Sequence, residues 1–356
     1  MTAPLDIIKP AVRALRPYTL SPHRASVKIN QNENPWDAPA QIKEEVLRRF
    51  AARKWSRYPD FVPVSLHERL AEFAGWKTDG VIAGNGSNEL IQALLMVAIG
   101  PGKRVLISEP TFALYRQVAT VLGGEVETVL ATPALTYDVA ALLEVITEKQ
   151  PDVTIICSPN NPTGCVIAAD DLRQVLAASR GLVVIDEAYH EFAQQSVVPL
   201  LSEYENLVVL RTFSKAMAFA ALRVGYLLAS AELVLEIRKG VLPYNLNVFS
   251  QLAAEVALEK YPNLLGPMVE AILNERERLY SAMAGIRGLR PVKSRANFMV
   301  VQAERDPGQI FEELLKRDIL VRDVSRYPML SEYFRVSVGT PEENDLLVRA
   351  LHEIHG

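Results

Sequence analysis

The sequence predicts an α/β protein: a mostly parallel central sheet in a large domain, with a smaller α+β domain beside it. Three observations carry this. Short runs of Val, Ile and Leu alternate with helical stretches between about residues 80 and 230. Those runs are continuously apolar rather than alternating, which is the pattern of strands covered on both faces by helices. At 356 residues the chain also suits about two domains.

In chain order, the first 60 residues are punctuated by Pro10, Pro17, Pro22, Pro35, Pro39 and Pro59. Only Gln41 to Lys54 reads as a helix there, so this stretch is expected to be an arm lying over a surface. Buried strands are expected at Arg104 to Ser108, Glu125 to Leu130, Val153 to Cys157, Leu182 to Asp186, Leu207 to Arg211 and Arg223 to Ala229. Helices are expected near Ser87 to Ile99, Phe112 to Leu122, Val139 to Lys149 and Asp170 to Ser179. Residues from about 231 to 286 read as long amphipathic helices with few breakers. The tail alternates again: strands at Phe298 to Gln302, Ile319 to Arg322 and Phe334 to Val338, and helices at Gln309 to Lys316 and after Pro341. The expected division is 1–40 as the arm and part of a small domain, 41–260 as the large domain and 261–356 as the rest of the small domain.

Lys plus Arg is 38 and Asp plus Glu is 42, a net charge of −4, so no broad basic field exists to attract nucleic acid or an anionic membrane. The two cysteines, Cys157 and Cys165, are too few for a disulfide framework, and the five histidines form no metal-binding spacing, so no metal is expected. No apolar stretch reaches the roughly 18 residues of a membrane span, and Met1 to Pro10 has no signal-peptide core. A cytoplasmic protein acting on a small molecule is the expectation.

In an open α/β sheet, ligands bind beyond the carboxyl ends of the strands. Four polar segments fall there: Gly84-Asn-Gly-Ser-Asn-Glu89, Asn161-Pro-Thr-Gly164, Asp186-Glu-Ala-Tyr189 and Thr212-Phe-Ser-Lys215, with Arg223 eight residues later. Taken singly, each has an ordinary structural reading. Asn161 to Gly164 suits a turn, Asp186 a helix cap, Gly84 to Glu89 a strand–helix connection, and Lys215 and Arg223 surface charges. Together they make one chemical picture. A lysine amine forms Schiff bases with carbonyls, and a buried aspartate is the partner of the pyridinium nitrogen of pyridoxal phosphate. A glycine turn entering a helix offers N–H groups to a phosphate. Thr212, Ser214 and Arg223 add hydroxyls and a guanidinium to that anion.

The ordered set of motifs resembles the fold-type I pyridoxal-phosphate-dependent aminotransferases of classes I and II, and among them the histidinol-phosphate aminotransferases most. Besides the segments above, Arg16-Pro-Tyr18, Asn32-Glu-Asn-Pro35, Arg57-Tyr-Pro-Asp60, Pro110-Thr-Phe112 and Arg335-Val-Ser-Val-Gly-Thr340 match in order across nearly the whole chain. The resemblance implies pyridoxal 5'-phosphate as cofactor, with 41–260 as its binding domain. It implies that Lys215 forms the Schiff base and moves protons. Asp186 would keep the pyridine nitrogen protonated, while Asn161 and Tyr189 would contact the ring hydroxyl. Ser87, Asn88, Thr212, Ser214 and Arg223 would hold the cofactor phosphate, Phe112 would stack on the ring, and Tyr58 would reach the phosphate from the neighbouring subunit of a homodimer. Arg335 would bind the carboxylate of glutamate or 2-oxoglutarate and also the phosphate of histidinol phosphate. Arg322 and Tyr18 would assist that phosphate, Asn34 would face the substrate from the arm, Tyr244 would sit on a nearby loop, and Asn297 would also line the site.

The nearest rival is an aromatic amino-acid aminotransferase of the same fold, whose substrate carries a carboxylate in place of the phosphate. A threonine-phosphate decarboxylase or a C–S lyase would share the cofactor apparatus. A dinucleotide-dependent dehydrogenase would need a glycine-rich first βα turn, and Gly84 to Glu89 lacks the G-x-G-x-x-G spacing.

Overall fold

A computed structural model describes residues 4–17 and 22–356. Its strands, in chain order, are β1 (Val27–Lys28), β2 (Val81–Gly84), β3 (Arg104–Glu109), β4 (Glu125–Leu130), β5 (Val153–Cys157), β6 (Leu182–Asp186), β7 (Leu207–Thr212), β8 (Gly225–Leu228), β9 (Leu289–Pro291), β10 (Phe298–Ala303), β11 (Ile319–Leu320), β12 (Arg322–Asp323) and β13 (Tyr333–Ser337). Seven of them form the large sheet in the order β2-β8-β7-β6-β5-β3-β4. All are parallel except β8, which runs antiparallel to both β2 and β7. The expected α/β class and parallel sheet are therefore what the chain adopts.

The central strands are buried along their whole length, and two apolar clusters cover the sheet, one on each face. That burial explains their uninterrupted Val/Ile/Leu composition. The first strand of the sheet, β2, has the sequence Val-Ile-Ala-Gly, too short for its apolar run to stand out. The first helices are α1 (Pro10–Ala14), α2 (Ala40–Ala51), α3 (Val64–Ala74) and α4 (Ser87–Ala98). The arm thus holds a short helix, α1, in addition to the expected one; Pro10 at its first position has a preset φ and no N–H to satisfy.

Between residues 231 and 284 the helices are shorter than expected. After Ile237 the chain tightens into a 3-10 turn, Arg238–Gly240, and then leaves helical geometry before Val248–Lys260, and a wide turn containing Pro262 joins that helix to Gly266–Ala284. Val248–Lys260 is buried on most sides, not amphipathic. The smaller sheet has the order β12-β13-β10-β9, and a third cluster packs under it. The expected strand Ile319 to Arg322 divides at Val321. Its first half pairs in parallel with β1, its second in antiparallel with β13. The change of partner ties the arm to the C-terminal part of the chain and turns Arg322 to a different neighbour. Among the described residues, no helix is long and apolar enough to cross a membrane.

Candidate active site

The carboxyl ends of β2, β5, β6 and β7 lie along one edge of the large sheet, and a cleft of about 380 Å³ opens there. At one end α4 begins. Gly86, at φ 82°, makes the turn into it, and a Cβ there would stand 2.4 Å from the Arg223 guanidinium. Gly225 pairs with both Gly84 and Thr212, and its Cβ would stand 2.4 Å from the Ser87 amide nitrogen. Both positions require glycine for the same reason: backbone and guanidinium close up around a small polar cup. The first amides of α4 have no carbonyl of their own helix to bond, and the helix dipole favours an anion before them. Thr212, Ser214 and Arg223 line the same end. Arg223 Nη1 donates to Ser214 Oγ at 2.9 Å and to the Ala220 carbonyl at 3.1 Å, with its backbone held in the left-handed region at φ 53°.

Asp186 closes β6 and is 3% exposed. Its carboxylate accepts from Tyr115 Oη at 2.7 Å and from the Ala188 amide at 3.0 Å, and among the described residues no cation bonds to it. Burial, reinforced by neighbouring Glu187, pushes its pKa up to about 6 against those two hydrogen bonds. Lys215 stands across the cleft, its Nζ donating to the Gln31 carbonyl at 2.9 Å. Desolvation by the cleft walls, then the charges of Arg335, Arg223 and Lys28, lower its ammonium to about 8. It is therefore partly neutral, and nucleophilic, near physiological pH.

At the other end, Arg335 on β13 donates to Asn161 Oδ1 at 2.5 Å and to the Asn30 carbonyl at 2.7 Å. A guanidinium only donates, so Asn161 must turn its Nδ2 away from it, and that group donates to Tyr189 Oη at 3.4 Å. Arg322 is the cross-strand partner of Arg335 and lines the same cleft. Like charges opposed on paired strands repel. An anion between them would relieve the repulsion.

Of the expected site residues, Ser87, Asn88, Phe112, Asn161, Asp186, Tyr189, Thr212, Ser214, Lys215, Arg223, Arg322 and Arg335 all line this cleft. Asn34, Tyr58, Tyr244 and Asn297 do not, and Tyr18 lies outside the described residues. Asn34 differs from expectation: its Nδ2 donates to the Ala216 carbonyl, holding the residue after Lys215, and its Oδ1 accepts from the Trp36 amide within the arm's own turn. From the arm, Asn30, Gln31 and Asn32 face the cleft instead. Tyr244 does not line it either. Tyr244 stacks on Tyr58 at 4.6 Å between ring centroids, and Tyr58 is 81% exposed. Asn297 is wholly buried behind the cleft, donating to the Asn32 and Glu33 carbonyls. The sequence assigns no role to Tyr115 or Asn32. Tyr115 stands only three residues beyond Phe112, and Asn32 opens the Asn32 to Pro35 motif, so each adjoined a recognised signal.

The chain belongs to the class I and II aminotransferases: the model of that family, aminotransferase class I and II, matches residues 25–351. It is 39% identical over 348 residues to a histidinol-phosphate aminotransferase of Chlorobium phaeobacteroides, covering 97% of this chain and 96% of that one. It is 37% identical to the enzyme of that name from Chlorobium phaeovibrioides, covering 98% and 97%. Its fold is that of the Sinorhizobium meliloti histidinol-phosphate aminotransferase solved in complex with pyridoxal-5'-phosphate, with a TM-score of 0.87, 24% identity and 97% and 96% coverage.

The residues fit that cofactor. The glycine-lined cup at α4 suits a phosphate, and the buried Asp186 carboxylate lacks the cation that a protonated ring nitrogen would supply. A pH dependence follows. The Asp186 pKa lies above that of an unfolded carboxyl, about 4. As pH rises through the window from about 4 to about 6, the unfolded chain loses its proton first, so the cofactor-free protein loses stability there. A bound cationic ring nitrogen removes that penalty. The rise in Tm on adding pyridoxal 5'-phosphate should therefore be larger at pH 7.5 than at pH 5. Calorimetry at both pH values checks it, and an equal or larger rise at pH 5 would count against Asp186 as the nitrogen's partner.

Proposed function

We propose that the chain is a pyridoxal 5'-phosphate-dependent aminotransferase that converts histidinol phosphate and 2-oxoglutarate to imidazole acetol phosphate and glutamate, a step of histidine biosynthesis, as a cytoplasmic homodimer. The observation that carries it is a half-buried amine, Lys215, between two cationic ends of one cleft. One end, Arg223 with the start of α4, suits the cofactor phosphate. The other, Arg335 with Arg322, suits a second anion. The names borne by relatives up to 39% identical support the substrate.

When bound, the cofactor supplies an electron sink that stabilises negative charge at the substrate α-carbon. The protein's own groups do the rest. The amides of Ser87 and Asn88, with Thr212, Ser214 and Arg223, bind the cofactor phosphate. Phe112 stacks on the ring, and Asn161 and Tyr189 hydrogen-bond its hydroxyl oxygen. Asp186 holds a proton on the ring nitrogen. Lys215 would hold the cofactor through its amine and, as a free amine, would move the proton between the substrate α-carbon and C4′. Such positioned proton transfer contributes about 10²–10⁴-fold. Arg335 receives the phosphate of one substrate and the carboxylate of the other, with Arg322 assisting on the phosphate. Tyr58, exposed beside Trp55 and Phe61, reaches a partner subunit's site.

Comparison of histidinol phosphate with phenylalanine and tyrosine as donors tests the substrate; a preference for the amino acids would replace it with the aromatic reading. Arg322→Ala sharpens the test. Loss of a charge-assisted contact of about 1.5–3 kcal/mol should lower kcat/KM for histidinol phosphate by about 10–100-fold and change that for phenylalanine little. Equal losses on both would remove Arg322 from the phosphate site.

A further inference from the structure

Asn32 belongs to the arm, yet it is 1% exposed and held from three sides. Its carbonyl accepts from Asn297 Nδ2 at 3.1 Å. Its amide nitrogen donates to Ser337 Oγ at 2.8 Å, and Ser337 Oγ donates back to Asn32 Oδ1 at 3.1 Å. The backbone sits at φ 55°, the left-handed region that asparagine tolerates better than most residues. With Oδ1 engaged by Ser337, Nδ2 is directed at Tyr189 Oη, 3.1 Å away. Asn32 thus links the arm and β13 to a residue that follows β6.

We infer that Asn32 is a positioning residue: held by Ser337, it donates to Tyr189 Oη so that the tyrosine's own proton is directed into the cleft. The inference rests on the proposed cofactor chemistry. Tyr189 Oη receives Nδ2 groups from Asn32 and Asn161, and the Asn161 amide is oriented by Arg335. An oxygen that accepts two N–H groups has its proton left for a third partner, and accepting makes it a stronger donor. The ring hydroxyl oxygen of the cofactor is that partner. The Asn161 contact is the longer one, so Asn32 carries more of the orientation. The charged and titratable groups facing Tyr189 are Arg335, Asp186, Cys157 and Lys215, whose Nζ lies 5.9 Å from the ring centroid. Two of them bond to the backbone just before Asn32, Lys215 to the Gln31 carbonyl and Arg335 to the Asn30 carbonyl.

The test is a pH titration of the visible band of the cofactor-loaded protein. A weaker Tyr189 donor stabilises the ionised ring oxygen less, so the protonated form of the chromophore persists to higher pH. Asn32→Ala should raise the midpoint by about half a pH unit or more, the size of one net hydrogen bond. Ser337→Ala should raise it in the same direction by less. The double variant should match Asn32→Ala alone, because Ser337 acts through Asn32. Should Asn32→Ala fail to fold, the Ser337→Ala shift decides, with Ser337→Thr restoring the wild-type midpoint. A wild-type midpoint in both single variants, or additive shifts in the double variant, would overturn the inference. A wild-type protein with no visible band at all would instead overturn the cofactor assignment on which it rests.

Discussion

Lys215→Ala is expected to abolish turnover: a fall in kcat of about 10⁴-fold or more, with the fold intact. Two losses combine. Without the amine nothing forms the covalent link to the cofactor carbonyl, and nothing stands ready to move the α-carbon proton, the latter alone contributing up to about 10⁴-fold. The fold should survive because Lys215 is a burdened group, not a support. Its amine donates to the Gln31 carbonyl, and the nearby arginines and the cleft walls oppose its charge. Melting should therefore occur at or slightly above the wild-type temperature. With pyridoxal 5'-phosphate added, the variant should show only the spectrum of the free compound. The wild type gives a second reading of the same group. Only the neutral amine attacks a carbonyl, so the rate of cofactor capture should climb as pH rises through about 8 and level off above it. Stopped-flow absorbance measures that rate. Unchanged turnover and spectrum in Lys215→Ala would remove Lys215 from the mechanism.

Much of this was legible in the sequence because the sheet writes itself plainly. Strands buried on both faces must be apolar at every position, and β5 (Val-Thr-Ile-Ile-Cys) and β6 (Leu-Val-Val-Ile-Asp) can hardly be read otherwise. Once those strands are placed, the residues after them fall on the ligand edge, which is why Asp186 and Thr212 to Lys215 could be located without coordinates. The misses share a different cause. Whether Asn32 or Asn34 faces the cleft depends on the left-handed turn at Asn32 and on its bonds to Ser337 and Asn297, both more than 260 residues away. Tyr115 is a core tyrosine by composition; only the meeting of α5 (Leu114–Leu122) with the end of β6 puts its hydroxyl on Asp186. Strand periodicity likewise predicts Ile319 to Arg322 as one element, since a change of pairing partner at Val321 leaves no mark in local hydrophobicity. Residues whose role is set by the chain on which they lie are legible. Those whose role is set by a side chain brought from elsewhere are not.

Asp186→Asn is expected to move stability and activity in opposite directions. The substitution keeps the shape and removes the charge. In the cofactor-free protein that charge is a cost: the carboxyl is buried, next to Glu187, and resists ionisation until about pH 6. The gap from an unfolded carboxyl, about two pKa units, corresponds to roughly 3 kcal/mol at pH 7.5. Part of it is offset where the amide serves Tyr115 and the Ala188 amide less well than a carboxylate does, a loss of about 1 kcal/mol. The cofactor-free variant should therefore melt a few degrees above wild type at pH 7.5 and lose that advantage below pH 4, where the Asp186 carboxyl is protonated in the folded and the unfolded chain alike. With cofactor present the order reverses. A neutral amide cannot hold a proton on the ring nitrogen, and the loss of one member of a buried ion pair is worth about 3–5 kcal/mol. At about 1.4 kcal/mol per decade, turnover should fall by about 10²–10⁴-fold. The rise in Tm on cofactor binding should also shrink. Melting curves with and without cofactor, alongside kcat, separate the two effects. A variant that is less stable without cofactor yet turns over at the wild-type rate would mean that Asp186 serves the fold and not the ring.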